Sequence, residues 1–155
     1  MLFRSLITEV NGLTLRPTDG SQVSFALQGF EYKCTKIKDR NGNFVTLAYN
    51  AAGDVSSITD TLGRVVTFSY DANGRPLAIE QNRSGQVHQW ATFGYSNLTI
   101  ATGFGVGVSA LGSANGTVMS VLSRVSLDDG SRFDFLYNSW GRSIAWSVTP
   151  RTSGS

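Results

Sequence analysis

Between Asp39 and Gln81 the chain writes one unit twice. Glycines stand at Gly42, Gly53, Gly63 and Gly74 in steps of 11, 10 and 11, so a full period is about 21 residues. NFVTLAYNAA, which follows Gly42, and RVVTFSYDAN, which follows Gly63, align without a gap: Val45 with Val66, Leu47 with Phe68, Tyr49 with Tyr70, Asn50 with Asp71. Self-similarity at such a period marks a repeat architecture in which each unit is one supersecondary element.

The unit reads as β-structure. In RVVTFSY, Val66, Phe68 and Tyr70 alternate with Val65, Thr67 and Ser69, the period-two pattern of a strand with one face more covered than the other. β-branched and aromatic residues suit a pleated surface. Asp71-Ala-Asn-Gly74 ends that strand and Asn50-Ala-Ala-Gly53 its predecessor, since Asp and Asn bond their own backbone and Gly takes positive φ at little cost. Strand, tight turn, strand, turn is a chain of β-hairpins. With charged residues at 15%, 17 glycines, 11% aromatics and no helical periodicity, an all-β fold is predicted: tandem antiparallel hairpins forming a curved sheet.

These residues carry a family resemblance. Tyr49-Asn50-x-x-Gly53-Asp54-Val55-x-x-Ile58-Thr59-Asp60-x-x-Gly63-Arg64, followed by Phe68-x-Tyr70-Asp71-x-x-Gly74-Arg75, resembles the YD repeat of RHS proteins, a family of bacterial polymorphic toxins, toxin-complex shells and teneurin ectodomains. Two successive units keep the Tyr-Asp-type pair and the Gly-Arg pair in register. Position 50 departs as Asn for Asp, and GRPLAIE carries an extra residue at Pro76. The repeat motif comprises Gly42, Tyr49, Asn50, Gly53, Asp60, Gly63, Arg64, Phe68, Tyr70, Asp71, Gly74 and Arg75, and a third copy adds Gly130, Tyr137, Asn138, Gly141 and Arg142.

The resemblance implies a section of an RHS-type β shell, secreted or at the cell surface. Its partners would be the remaining RHS repeats and a C-terminal effector domain of a longer chain, with a cell-surface glycan or receptor as the alternative. It implies no cofactor and no catalytic residue. Related proteins self-cleave through an aspartyl core segment beyond the repeats, and no stretch here resembles that motif.

By length the chain is about one domain able to bury a single core. Residues 1–36 read as degenerate or leader hairpins, 37–81 as clear YD repeats, 82–128 as irregular strands around a Gly-rich loop, and 129–149 as a further unit, with no dividing linker. Asn11-Gly12 reads as a two-residue hairpin turn, and Asp19-Gly20-Ser21 recurs as Asp129-Gly130-Ser131 before alternating strands. Within 82–128, residues 86–95 are strand-like, a second strand is expected at 97–104, and another at about 117–127. TPRTSGS reads as a frayed tail.

Other chemistry is weakly signalled. A net charge of +2, with positive charge concentrated only in KCTKIKDR (33–40), does not indicate nucleic acid, and no apolar run reaches membrane length. Cys34 is alone, so an internal disulfide and a Cys-based metal site are excluded; alternation places it on one face with Tyr32 and Lys36. Gly105-Val-Gly107-Val-Ser-Ala110 matches the dinucleotide pattern, but no helix pattern follows to hold a pyrophosphate. His88, the single histidine, would be needed by any Ser-His-Asp arrangement, and its mid-strand position reads as structural. The acidic residues at turns (Asp39, Asp60, Asp71, Asp129) read as turn formers, without the ligand series of a calcium loop. Sequons at Asn82, Asn97 and Asn115 read as coincidental. Most of the aromatics at Tyr49, Phe68, Tyr70, Trp90, Phe133, Phe135, Tyr137, Trp140 and Trp146 are expected to pack as inter-strand core, whereas an exposed ladder would suit sugar stacking.

Overall fold

The computed structural model describes residues 3–105 and 111–151. Among them the protein is all-β, with twelve strands and no helix. The strands are β1 (Phe3–Glu9), β2 (Gly12–Pro17), β3 (Gln22–Gln28), β4 (Glu31–Lys38), β5 (Phe44–Tyr49), β6 (Val55–Asp60), β7 (Val65–Tyr70), β8 (Pro76–Arg83), β9 (Gln86–Thr99), β10 (Val118–Leu127), β11 (Arg132–Tyr137) and β12 (Ser143–Thr149). They fall into two compact units. The first runs to Arg75 and includes Glu80–Val87; the second takes Pro76–Ile79 and the chain from His88 onward.

In the first unit β1 to β7 lie side by side in sequence order, each pairing antiparallel with the next. In the second, β9 pairs with β10, β10 with β11, and β11 with β12, again antiparallel. β7 shows the alternation read from its sequence: Val66, Phe68 and Tyr70 are half-buried, and Val65, Thr67 and Ser69 are exposed.

Four expectations are corrected. The first hairpin turns at Val10-Asn11, because Glu9 pairs with Gly12 and Gly12 is already the first residue of β2. The strand expected at 97–104 does not exist as a separate element: β9 runs unbroken from Gln86 to Thr99, and residues 100–105 are irregular. Cys34 and Lys36 do not simply share a face, because Thr35 between them has no partner on β3 and the alternation breaks there.

The single core is the fourth correction. Among the described residues only Ala78, Ala91 and Ile100 are buried hydrophobics, and no large side chain is fully buried. A single layer of strands has no second layer to cover it, so each unit keeps its faces half open. Of the aromatics expected to pack, Tyr49, Phe68, Tyr70, Trp90, Phe133, Phe135 and Tyr137 are half-buried, whereas Trp140 and Trp146 are 61% and 65% exposed.

Candidate functional site

The motif residues build two devices, a clamped turn and a tyrosine clasp. The turn recurs with one geometry. The Asp60 backbone N–H donates to the Arg64 carbonyl, and the Gly63 N–H donates back to the Asp60 carbonyl at 2.9 Å. Asp71 with Gly74 and Arg75, Asn50 with Gly53 and Asp54, and Asn138 with Gly141 and Arg142 repeat it, as does Asp39 with Gly42 and Asn43. The glycine of each has φ between +76° and +96°, the left-handed region that a side chain resists.

The side chain at the first position explains both halves of the motif. Asp60 Oδ1 accepts the N–H groups of Leu62 and Arg64, each at 2.9 Å, while Oδ2 accepts from Arg64 Nε at 2.6 Å. Asp71 does the same with Asn73 and Arg75. Asp71 of the YD pair therefore reaches Arg75 of the following GR pair, as Asp60 after Thr59 reaches Arg64, and each turn is closed by a charge-assisted clamp. The Arg64 guanidinium beside Asp60, and Arg75 beside Asp71, hold these carboxyls below their ordinary value. Asn50 and Asn138 keep the bonds to backbone N–H groups without a carboxylate. Asp19 and Asp129 belong to a variant in which Gly20 and Gly130 close onto Pro17 and Leu127, and each carboxylate accepts from the following serine.

The tyrosines perform the second job. The Tyr49 hydroxyl donates to the Cys34 carbonyl at 2.6 Å, Tyr70 to Val55 at 2.7 Å and Tyr137 to Leu122 at 2.8 Å, each 15 residues back in the chain. Every acceptor immediately precedes a β-bulge. Thr35, Ser56 and Ser123 are the unpaired extra residues of β4, β6 and β10. A bulge interrupts the ladder, and a half-buried carbonyl next to it needs another donor, which the next strand's tyrosine supplies. Thr35 and Ser123 also return their own hydroxyls to the Ser24 and Gly94 carbonyls of the preceding strand. Burial raises the Tyr49 and Tyr70 hydroxyls above 10.0, so both remain protonated donors.

A fourth clasp went unread in the sequence. Tyr95 on β9 donates to the Pro76 carbonyl at 2.9 Å, across 19 residues. Its position four residues later than the period allows hid it, although a tyrosine after an extra residue at Pro76 was the available signal. The bulges carried no sequence signal, since one additional Ser or Thr inside a strand looks like any other.

Phe68 is half-buried on β7 and makes neither device. The remaining candidates are scattered. His88 Nε2 lies 2.9 Å from Asp128 Oδ2 without the alignment of a hydrogen bond, and its ring meets Trp90 edge-on at 4.4 Å. That pair brings a carboxylate to the histidine, but its Nε2 has no hydrogen-bond partner and so holds no serine hydroxyl as a triad would require. Burial pushes the Cys34 thiol up, opposite to what a reactive thiolate needs. Within the basic stretch, Lys33 donates to the Gly53 carbonyl at 2.7 Å and Lys36 lies over the Phe44 ring at 4.1 Å, so both brace neighbouring strands and turns. The glycine pattern at 105–110 lies outside the described residues beyond Gly105; residues 111–117 after it form turns and bends, not a helix. Among the described residues no cluster of His, Cys, Asp or Glu has the arrangement of a metal site.

The Gly-rich segment is anchored to the last clamped turn. The Ala101 N–H donates to the Ser139 carbonyl at 2.7 Å, Ile100 is 3% exposed, and a methyl at Gly141 would stand 3.3 Å from Ile100 Cδ1. Phe104 packs edge-on to Trp140 at 5.6 Å in the same place.

Residues 49–87 match the family model described as RHS Repeat. That segment, about a quarter of the chain, is an RHS repeat. The match opens on Tyr49 and covers both Tyr70 and the Asp71–Arg75 clamp; the Tyr137 clasp repeats the geometry outside it. No curated protein matches the chain. Among the described residues no helix is long and apolar enough to cross a membrane, which says nothing of β-barrels.

Proposed function

We propose that this chain is a non-catalytic, structural section of an RHS-type β shell that encloses or displays the effector domain of a longer polypeptide, outside the cell or at its surface. One observation carries the reading. The chemically capable groups of the motif are engaged with backbone: the hydroxyls of Tyr49, Tyr70 and Tyr137 with carbonyls, and the carboxylates of Asp60 and Asp71 with turn N–H groups. Groups used once per unit to hold the unit's geometry serve construction, and a wall is what a chain of such units builds. The test is the native reading frame. Further YD units and a distinct C-terminal domain are expected, with that domain resisting protease in the intact protein. A frame closing at these 155 residues overturns the reading.

A second reading rests on the exposed pair Phe104 and Trp140, with Trp146 also open. Aromatic faces in this state suit stacking on sugar rings, as an extracellular carbohydrate-binding or surface-binding module requires. Calorimetric titration of glycans against the protein and its Trp140→Ala variant tests it: saccharide binding lost in the variant supports it, and no binding removes it.

A further inference from the structure

Residues 84–123 contain no Asp, Glu, Lys or Arg, although 13 Lys and Arg and 11 Asp and Glu stand in the rest of the chain. They make up β9, the Gly-rich segment and the first part of β10. This hairpin outruns its neighbours. β9 and β10 pair from Ala91 with Leu127 to Thr99 with Val118, whereas β10 pairs with β11 only from Arg124 to Ser126, and β8 has eight residues to the 14 of β9. From the pair of Ser96 and Val121 outward it is therefore a two-stranded ribbon. Val118 and Met119, consecutive on β10, face opposite sides of it and are 60% and 41% exposed. Leu111 in the connection is wholly exposed. The Ala101 N–H bond to the Ser139 carbonyl sets Phe104 and Trp140, also largely open, beside the same end. Backbone donors at this end are used: the Ile100 N–H bonds the Thr117 carbonyl at 2.8 Å, the Gly116 N–H the Ile100 carbonyl at 2.7 Å, and the Thr102 N–H Asn115 Oδ1 at 2.9 Å.

We infer that this ribbon end is a lipid-contact element, which seats Phe104, Leu111, Val118, Met119 and Trp140 in the boundary between the headgroups and acyl chains of a bilayer. The inference goes beyond both readings above and depends on neither. A second layer of protein covers one face of a ribbon; here both faces and the tip are apolar and open, which suits a fluid that surrounds them. No ionised Asp, Glu, Lys or Arg between Arg83 and Arg124 has to leave water, the largest cost of entering an apolar phase. The bonded donors at the base meet the further condition that backbone entering such a phase keeps its hydrogen bonds. Phe30 supplies the contrast. It is just as exposed, at the turn between β3 and β4, but Glu31 and Lys33 follow it and would be drawn in with it. A two-stranded ribbon has unpaired edges, so it rests in the boundary and does not cross the bilayer.

The test is flotation of the 155-residue chain with vesicles of phosphatidylcholine, alone or mixed with phosphatidylserine, at low and high salt. Binding to phosphatidylcholine alone is expected, little changed by phosphatidylserine or salt, because burial of apolar surface is not screened. Leu111→Asp alters a wholly exposed position and is expected to leave the circular dichroism of the sheet as it was. It is expected to weaken binding about tenfold to a hundredfold, the worth of one buried leucine. Phe30→Asp is expected to leave binding unchanged. Absence of flotation, undiminished binding of Leu111→Asp, or an equal loss in Phe30→Asp overturns the inference. Flotation that requires phosphatidylserine and disappears in salt also overturns it, by giving the contact to the basic stretch at 33–40. So does an oligomer that Leu111→Asp dissolves and vesicles do not, which gives the ribbon end to a second copy of the chain.

Discussion

The hairpins of residues 44–75 and the stretch from Gln86 to Leu127 build the same contact from different lengths of chain. In the first, strands of six residues alternate with clamped turns and each clasp spans 15 residues. In the second, β9 has 14 residues and β10 has ten, and the clasp into this region spans 19. The turns differ too. Asp60 and Asp71 clamp four-residue turns, whereas β8 passes to β9 through Ser84 and Gly85, both at positive φ, as a two-residue turn matched to the strands' twist demands. What persists is a tyrosine hydroxyl delivered to a carbonyl of the strand before it. The period is a consequence of that contact when the turns are short, and it stretches when they are not.

The largest effect separates Gly63 of the regular hairpins from Gly141 of the last clamped turn, against which the Gly-rich segment rests. Gly63 and Gly141 have nearly the same φ, +77° and +81°, but open space faces Gly63 while Ile100 Cδ1 stands 3.3 Å from a methyl at Gly141. Gly63→Ala is expected to lose about 1 kcal/mol from left-handed strain. Gly141→Ala adds displacement of a buried side chain and is expected to lose about 2–3 kcal/mol. Urea unfolding of both variants measures this. Equal losses would mean that the Gly-rich segment does not lean on the last turn.

The clasps rank next. Tyr70→Phe strands a half-buried carbonyl and is expected to cost about 1–2 kcal/mol, whereas the more exposed Tyr95 bond should cost about 0.5 kcal/mol because water replaces the donor. A Tyr95→Phe loss as large as that of Tyr70→Phe would make the stretched clasp as strong as the regular one.

How far the sequence revealed this division follows from what each feature leaves in the residue pattern. Alternation marks faces, so β7 was legible residue by residue, and Asp-x-x-Gly marks turns, so the Asp60 and Asp71 clamps lay at sites already singled out. A bulge leaves no mark: Ser56 in VSSITD and Thr35 in EYKCTKI look like ordinary strand residues, yet each flips the faces beyond it and creates the carbonyl its tyrosine serves. Tyr95 was passed over because attention to a fixed period looks for a tyrosine four residues earlier, where Ala91 stands. The open faces were misread because apolar alternation says which side prefers cover, not whether a second layer exists to provide it.

The clamps give the regular region a pH dependence that the Ser84-Gly85 turn lacks. Asp60 and Asp71 have folded pKa values lowered from 3.8, first by Arg64 and Arg75 and then by turn N–H groups. A depressed folded value means that the unfolded chain takes up the proton first as pH falls. The contribution is therefore complete above the ordinary carboxylate range and is lost as pH falls below 3.8 through the folded values. Urea midpoints from pH 6 to about pH 2 are expected to be flat and then to decline. The double variant Asp60→Asn with Asp71→Asn, in which the amide oxygen keeps the backbone bonds as Asn50 does, should flatten the decline. An unchanged acid limb would place the titrating groups elsewhere, among Asp19, Asp39, Asp129 and Asp134, whose carboxyls are also held low.

The smallest expected effect lies at the turn between β8 and β9. Ser84 is the one non-glycine residue at positive φ among the described residues, at +52°, and its Cβ opposes that conformation. Asn tolerates the left-handed region better than Ser, and Asn-Gly is the pair that such two-residue turns favour. Ser84→Asn is therefore expected to stabilise by a few tenths of a kcal/mol, to about 0.5. The same substitution removes the Asn82 sequon without touching the Asn82 side chain, whose oxygen accepts the Gly85 N–H at 2.9 Å. Thermal unfolding of the variant checks it, and the sign is what matters. A loss of stability would show the Ser84 hydroxyl contributing to the turn more than its strain subtracts. The Ser84 side chain would then join Asn82 in holding the turn, and the contrast with the clamped turns would narrow to a difference of partner.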